Sequence, residues 1–179
     1  MSDNLSTSLN IRAATEADMD SLVLLIDMLN VSEGNNRQCD RATLKEAFFG
    51  QSHKVEKHVD VVVMGESILG FAFYYWGYDL ASESYGCHLA DFAVHKDSRR
   101  QGVGNELLAH VGQQCLKGGG KWLSLTSASN NNGAKRFYEQ AGMLKVDVDF
   151  FAIGPRGLNE LHDRVSAIPV AQPLPSERI

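Results

Sequence analysis

Residues 87–126 read CHLADFAVHKDSRRQGVGNELLAHVGQQCLKGGGKWLSLT. Cys87 to Val94 is an apolar, β-favouring run and predicts a strand. Val103, Leu107, Leu108, Val111 and Cys115 then recur at the three- and four-residue spacing of a helix with one apolar face. Gly118-Gly119-Gly120 stops that helix, because consecutive glycines make its continuation costly. Lys121 to Thr126 predicts another strand. The order strand, helix, strand is a β-α-β unit, which belongs to a layered sheet with helices packed on it.

Working outward, the N-terminal side predicts a short strand at Leu9 to Ala13. A helix starts at Thr15, with Asp18 three residues later as a variant capping box. Met19, Leu22, Val23, Ile26 and Leu29 give it one apolar stripe. After the polar stretch VSEGNNRQCD, Asp40 can cap a second helix, Ala42 to Phe49, that stops at Gly50. Val59 to Met64 and Ile68 to Trp76 flank Gly65-Glu66-Ser67 and predict a hairpin. Gly77 to Gly86 reads as a loop. On the C-terminal side, Ala134 to Ala141 predicts a short helix closed by Gly142, and Val146 to Ile153 a last strand. The resulting order, β α α β β β α β α β, predicts an α/β (α+β) domain: a mixed sheet flanked by helices. One domain is expected over residues 1–155. Residues 156–179 are expected to hold one helix near 158–167 and a proline-bearing extension, since all four prolines follow Gly154.

Composition narrows the class. The chain has 179 residues, 44% hydrophobic and 22% charged, with a net charge of −5. That is an ordinary globular balance, and it argues against a nucleic-acid binder with a basic face. Cys39, Cys87 and Cys115 form no CxxC pair and no metal-like spacing with histidine, so idle thiols in a reducing cytoplasm and no metal are expected. The N-terminal MSDNLSTSLN lacks a signal-peptide pattern, and the apolar run Ile68 to Trp76 is too short to cross a bilayer, so no membrane partner is expected.

The turn HKDSRRQGVGNEL (95–107) follows a strand and opens a helix. Helix N-termini offer unpaired N–H groups and the positive end of a dipole. Gly102 and Gly104 remove side chains where an anion would approach, and Arg99 and Arg100 add charge. This is a phosphate or pyrophosphate cradle in pattern, although a β-α turn that binds nothing has the same composition. It is neither GxxxxGK[ST] nor GxGxxG, because Leu107 stands at the third glycine position; the pattern is R-x-x-G-x-G.

A second segment, SASNNNGAKRFYEQAGM (127–143), contains N-x-x-A-x-x-F-Y-E-x-x-G at Asn131, Ala134, Phe137, Tyr138, Glu139 and Gly142. Together with R-x-x-G-x-G some thirty residues upstream, it resembles the GNAT superfamily of acyl-CoA-dependent N-acetyltransferases. IRAATEADMDSLVLLIDML, GFAFYYWGYD (70–79) and LADFAVHKDSRRQGVG (89–104) further resemble the diamine (polyamine and thialysine) branch, the likeness running from about Ile11 to about Gly142.

The resemblance implies acetyl-CoA as cofactor. Its pyrophosphate would lie on the backbone of Arg99, Arg100, Gln101, Gly102, Val103 and Gly104. Its pantetheine arm would pair like a strand with Phe92, Ala93 and Val94, with Asn131 and Ala134 on the other side. Tyr138 occupies the family's proton-donor position, and backbone N–H near Ala93 or Val94 would stabilise the oxyanion. Asp91 would position the amine or accept its proton. Candidate acceptor linings are Glu33, Tyr75 and Asp91, with other aromatics after the hairpin; aromatics with carboxylates suit a cation. Histidines 88 and 95 flank the strand, and either is a conceivable base.

Two positions depart from the branch: Ala90-Asp91 stands where it typically has Glu-Asp, and Ser129 to Gly133 where it usually shows Trp-Asn-Glu-Pro. The expected activity is acetyl transfer to a primary amine of a small molecule, such as a diamine, an amino acid or an aminoglycoside. The alternatives are a protein lysine or N-terminal acetyltransferase and a non-catalytic acyl-CoA sensor. A homodimer is expected from the resemblance alone.

Overall fold

The computed structural model describes residues 8–35, 38–50 and 56–166. In order these form β1 (Asn10–Ala13), a 3₁₀ turn (Glu16–Asp18), α1 (Met19–Ser32), α2 (Arg41–Phe49), β2 (Lys57–Met64), β3 (Ser67–Asp79) and β4 (Ser84–Val94). A second 3₁₀ turn (Lys96–Ser98), α3 (Val103–Lys117), β5 (Leu123–Leu125), α4 (Asn132–Gln140) and α5 (Pro155–Ser166) follow. The contacts group into two units, 1–143 and 144–179.

In the first unit the five strands form one sheet in the order β1-β2-β3-β4-β5. The first three pairings are antiparallel and β4–β5 is parallel, so the sheet is mixed, as the β-α-β unit requires. Each face carries its own core. Val59, Val61, Val63, Phe71 and Ala93 meet Met19, Leu22 and Leu25 of α1 on one face. Val62, Ala72, Tyr74, Cys87 and Leu89 meet Val103, Leu107, Leu108, Val111 and Cys115 of α3 on the other. Each fully buried aliphatic side chain stabilises the fold by ~1.5–3 kcal/mol, so the two helical stripes read from the sequence anchor the two layers.

Local chemistry sets the helix starts. The Thr15 N–H donates to Asp18 Oδ2 at 2.7 Å, and Arg12 donates to both Asp18 oxygens at 2.7 and 2.8 Å. Asp40 Oδ2 accepts from Thr43 N at 2.8 Å and starts α2 one residue before the expected position.

Two expectations are corrected and a third gains a second reason. Gly77 and Gly86 do not bound a loop: β3 and β4 run through them, and Gly77 pairs with Gly86. Both make room for Trp122, whose ring a Cβ at Gly86 would meet at 2.1 Å. The glycine run after α3 serves packing as well as termination, since a Cβ at Gly118 would lie 2.3 Å from the Trp76 ring. In the second unit, Val146 to Ile153 forms no strand. Alternation tells which face of a strand would be buried; a strand also needs a ladder partner, which alternation does not specify. The helix expected near 158–167 is α5, Pro155–Ser166, with Arg156 paired to Glu160 at 3.0 Å.

Candidate active site

β4 and β5 pair over only three residues: Cys87 with Leu123, His88 with Ser124 and Leu89 with Leu125. Beyond Leu89 the two strands separate, while β4 stays paired to β3 as far as Val94. Among the described residues no strand covers the other edge of Ala90 to Val94, so the peptide groups that face this edge, apart from Val94 O, which accepts from Arg99 Nε, are left for a ligand. A cleft of about 400 Å³, counting its open mouth, lies in this gap. Leu29 and Glu33 line it from α1, Ala90, Asp91 and Phe92 from β4, Thr126 and Ser127 from the end of β5, and Asn131, Ala134 and Tyr138 from α4.

A β-bulge shapes the cleft. Tyr74 pairs with Leu89 but Phe73 pairs with Asp91, so Ala90 is the extra residue. Leu89 and Phe92 therefore both point to the α3 side, whereas Asp91 shares the α1 side with Phe73 and Ala93. Burial, with the Glu33 charge added to it, raises the Asp91 carboxyl above the ordinary carboxylate range. Glu33 caps the C-terminus of α1.

Tyr138 sits on α4 with its ring 5.2 Å from Phe137 and 6.4 Å from Phe92, both edge-on. Its hydroxyl has no hydrogen-bond partner among the described residues. Burial, and again Glu33, push its phenol up to about 12, so it is a protonated donor at neutral pH. Asn131 caps α4: its Oδ1 accepts the Ala134 N–H at 3.1 Å, which leaves its side-chain NH₂ to face the cleft. The capping role and the cleft-lining role coexist at one residue.

The turn before α3 has the shape of an anion cradle. Gly102 takes φ 85° as the N-cap, where no side chain caps the helix, and a Cβ there would meet nothing within 4 Å. The first N–H groups of α3 are thus left for an outside acceptor. Arg100 also lies in the left-handed region, at φ 61°. Gly104 has another reason to be glycine: a Cβ would approach the Phe137 ring to 3.2 Å, so its absence lets α3 and α4 pack closely. Arg99 Nε donates to Val94 O at 3.0 Å and Gln101 Nε2 to Asp97 O at 2.7 Å, which ties the turn to the end of β4.

The residues singled out in the sequence therefore divide. Glu33, Asp91, Phe92, Asn131, Ala134 and Tyr138 line one cleft. Ala93 packs in the α1-side core, and Val94 with Arg99 to Gly104 forms the turn at the end of the same strand. Tyr75 lies outside the cleft lining and packs 5.3 Å from His88. Sequence reasoning missed Leu29, Thr126 and Ser127, and the bulge at Ala90. The polar run after Leu125 was the available signal for the splayed end of β5. Among the described residues no helix is long and apolar enough to cross a membrane.

Solved structures share this fold. An integron cassette protein from the mobile metagenome of V. cholerae superposes with a TM-score of 0.72 at 21% identity, over 87% of this chain and 98% of its own. An aminoglycoside acetyltransferase from an uncultured soil metagenomic sample, in complex with sisomicin, has a TM-score of 0.66 at 22% identity, over 84% and 97%. A ribosomal-protein-alanine N-acetyltransferase from Brucella melitensis biovar Abortus 2308 has a TM-score of 0.67 at 14% identity, over 82% and 99%. The two sequence motifs fall on the turn and the helix that frame the cleft, and the sequence model of the Acetyltransferase (GNAT) family matches residues 24–143, more than half of the chain, so the protein belongs to that family.

Proposed function

We propose that this acyltransferase moves an acetyl group from acetyl-CoA directly to a primary amine of a small cationic molecule. The observation that carries the reading is the cleft between β4 and β5, where a neutral phenol faces two carboxylates. Two features fit the donor's polar parts. The uncapped N-terminus of α3, with Arg99 to Gly104, suits a pyrophosphate, and the unpaired edge of Phe92, Ala93 and Val94 suits the amides of a pantetheine arm. When bound, acetyl-CoA supplies an activated acetyl group. The side-chain amide of Asn131 would hold the arm from the α4 side.

The protein's own groups then divide the proton work. Asp91 and Glu33 attract the ammonium form of the acceptor, and Asp91, its carboxyl raised in pKa, accepts a proton directly or through water. Backbone N–H groups near Ala93 or Val94 would stabilise the developing negative oxygen. Tyr138 would donate its proton to the leaving sulfur. A small acceptor is favoured over a protein side chain because Leu29 and Glu33 of α1 close one side of the cleft. The sisomicin complex of the metagenomic relative is consistent with a polyfunctional amine. The family likeness extends the proposal to a cytoplasmic homodimer.

The test is thiol release from acetyl-CoA against spermidine, putrescine, lysine, thialysine, aminoglycosides and basic peptides, with acetyl-CoA binding measured in parallel. Turnover confined to small amines is the expected result. Turnover of peptides alone overturns the substrate class, and tight CoA binding with no turnover of any amine favours a sensor.

A further inference from the structure

We propose that the α1 face of the sheet holds a second acceptor subsite beside the cleft, built from Tyr75, His88 and Ser124, that takes a neutral hydroxyl of the amine substrate. The inference rests on the acyl-transfer reading for the place of the amine nitrogen, near Asp91 and Glu33. It makes the acceptor a hydroxylated amine rather than a linear diamine.

The ladder places one residue from each of four strands in a row. Lys57 pairs with Tyr75, Tyr75 with His88 and His88 with Ser124. Their face follows from their neighbours. Val59 and Phe73, two residues from Lys57 and Tyr75, pack against α1, and side chains two apart on a strand share a face. Asp91 lies on the same face, opposite Phe73. The partners of Asp91 and His88 are Phe73 and Tyr75, two residues apart, so the backbone of the row begins ~7 Å from that of Asp91 at the strand rise of ~3.3 Å per residue. The His88–Leu89 step is also the last before β4 and β5 part, so the row borders the mouth of the cleft.

The chemistry of the row is neutral at its centre. His88 Nδ1 lies 3.1 Å from Ser124 Oγ, and its Nε2 has no protein partner among the described residues. Burial lowers the His88 pKa, so the ring is uncharged at neutral pH and offers one donor and one acceptor. The Ser124 hydroxyl also donates and accepts, and Tyr75 packs its ring against His88. A hydroxyl matches such groups because it too can play either part. The row itself holds no carboxylate to pair with a second ammonium, and the charge of Lys57 at its end opposes one. The cleft itself, with Glu33 and Asp91, takes the one cationic group.

The test compares three five-carbon probes that differ at one end: pentylamine, 5-aminopentan-1-ol and pentane-1,5-diamine. Calorimetry on the CoA-loaded protein should show the amino alcohol binding about fivefold tighter than either of the others, the size expected for one net hydrogen bond. Ser124→Ala and His88→Phe, each checked by thermal melting, should cut that preference to within about twofold. Equal binding of the three probes, tighter binding of the diamine, or a preference that survives both variants overturns the subsite. Turnover with acetyl-CoA, run on the same probes, separates the two readings. A preference that the variants abolish, without turnover, keeps the subsite and removes the acyl-transfer reading; turnover without a preference does the reverse.

Discussion

Tyr138→Phe removes one oxygen and little else. The Phe ring keeps the contacts at 5.2 Å to Phe137 and 6.4 Å to Phe92, and the lost hydroxyl has no partner to orphan among the described residues. The stability change should therefore stay within about 0.5 kcal/mol. The effect on turnover follows from the leaving group. General acid catalysis contributes ~10²–10⁴-fold, more when the leaving group is a poor one. A thiol has a pKa of about 8.5, so it leaves tolerably without help and the low end applies. We expect kcat to fall about 10²-fold, or ~2.7 kcal/mol of transition-state stabilisation, with acetyl-CoA affinity unchanged. The phenol, held near 12, stays protonated across the working range, so the wild-type rate should show no loss from this group up to about pH 10. The assay is initial-rate thiol release against pH, paired with CoA binding. A kcat within about threefold of wild type would refute the proton-donor role and leave Tyr138 a packing aromatic.

Gly102→Ala should cost ~1–2 kcal/mol of stability from its positive φ alone, because the new methyl meets nothing; Gly102→Glu should in addition weaken CoA binding about tenfold by placing a carboxylate at the anion cradle, and equal Kd values for the two variants by calorimetry would count against that cradle. Arg12 and Thr15 hold the Asp18 carboxyl down to about 2, below its ordinary 3.8. The folded value lies below the unfolded one, so this group stabilises the native state above pH ~4 by about 2 kcal/mol and loses that contribution as pH falls toward 2. Asp18→Asn should flatten this part of the stability–pH curve, read from urea midpoints at pH 6 and pH 2. Asp91 should titrate above the ordinary carboxylate range in carboxyl carbon NMR, and Glu33→Gln should lower it by removing a like charge; an unmoved Asp91 would place Glu33 too far away to act on it.

The sequence disclosed what repeats and what caps. The stripes Met19–Leu22–Val23–Ile26–Leu29 and Val103–Leu107–Leu108–Val111–Cys115 gave α1 and α3 and the face each buries, while Thr15 and Asp18 gave the start of α1 and Asp40 that of α2. The two motifs landed on the turn before α3 and on α4, both at the cleft. The long β3–β4 hairpin stayed hidden because Gly77 and Gly86 signal a loop by composition, while their function is to admit the Trp122 ring from β5's side of the sheet. That requirement is tertiary, and no local pattern carries it. Val146 to Ile153 erred in the opposite direction, with a strand's alternation but no strand.

The bulge at Ala90 links these two kinds of information. Strict alternation from Leu89 would put Asp91 on the same face as Leu89, under α3, where an unpaired carboxylate in an apolar core costs several kcal/mol. The extra residue turns Asp91 to the α1 side instead, beside Glu33 and over the open end of the β4–β5 gap. The two strands also stop pairing within one residue of the bulge, at Leu89 with Leu125. A single local insertion thus delivers the carboxylate to the acceptor side while Phe92 still packs toward Phe137 and Tyr138 on the other. It also bears on Ala90. The bulged residue lines the cleft, so a side chain here reaches the acceptor space without disturbing either core. An alanine at this point leaves space beside Asp91 and adds no charge to it. Such a position suits the proposed acceptor, with one cationic nitrogen near Asp91 and a neutral polar group farther along the sheet.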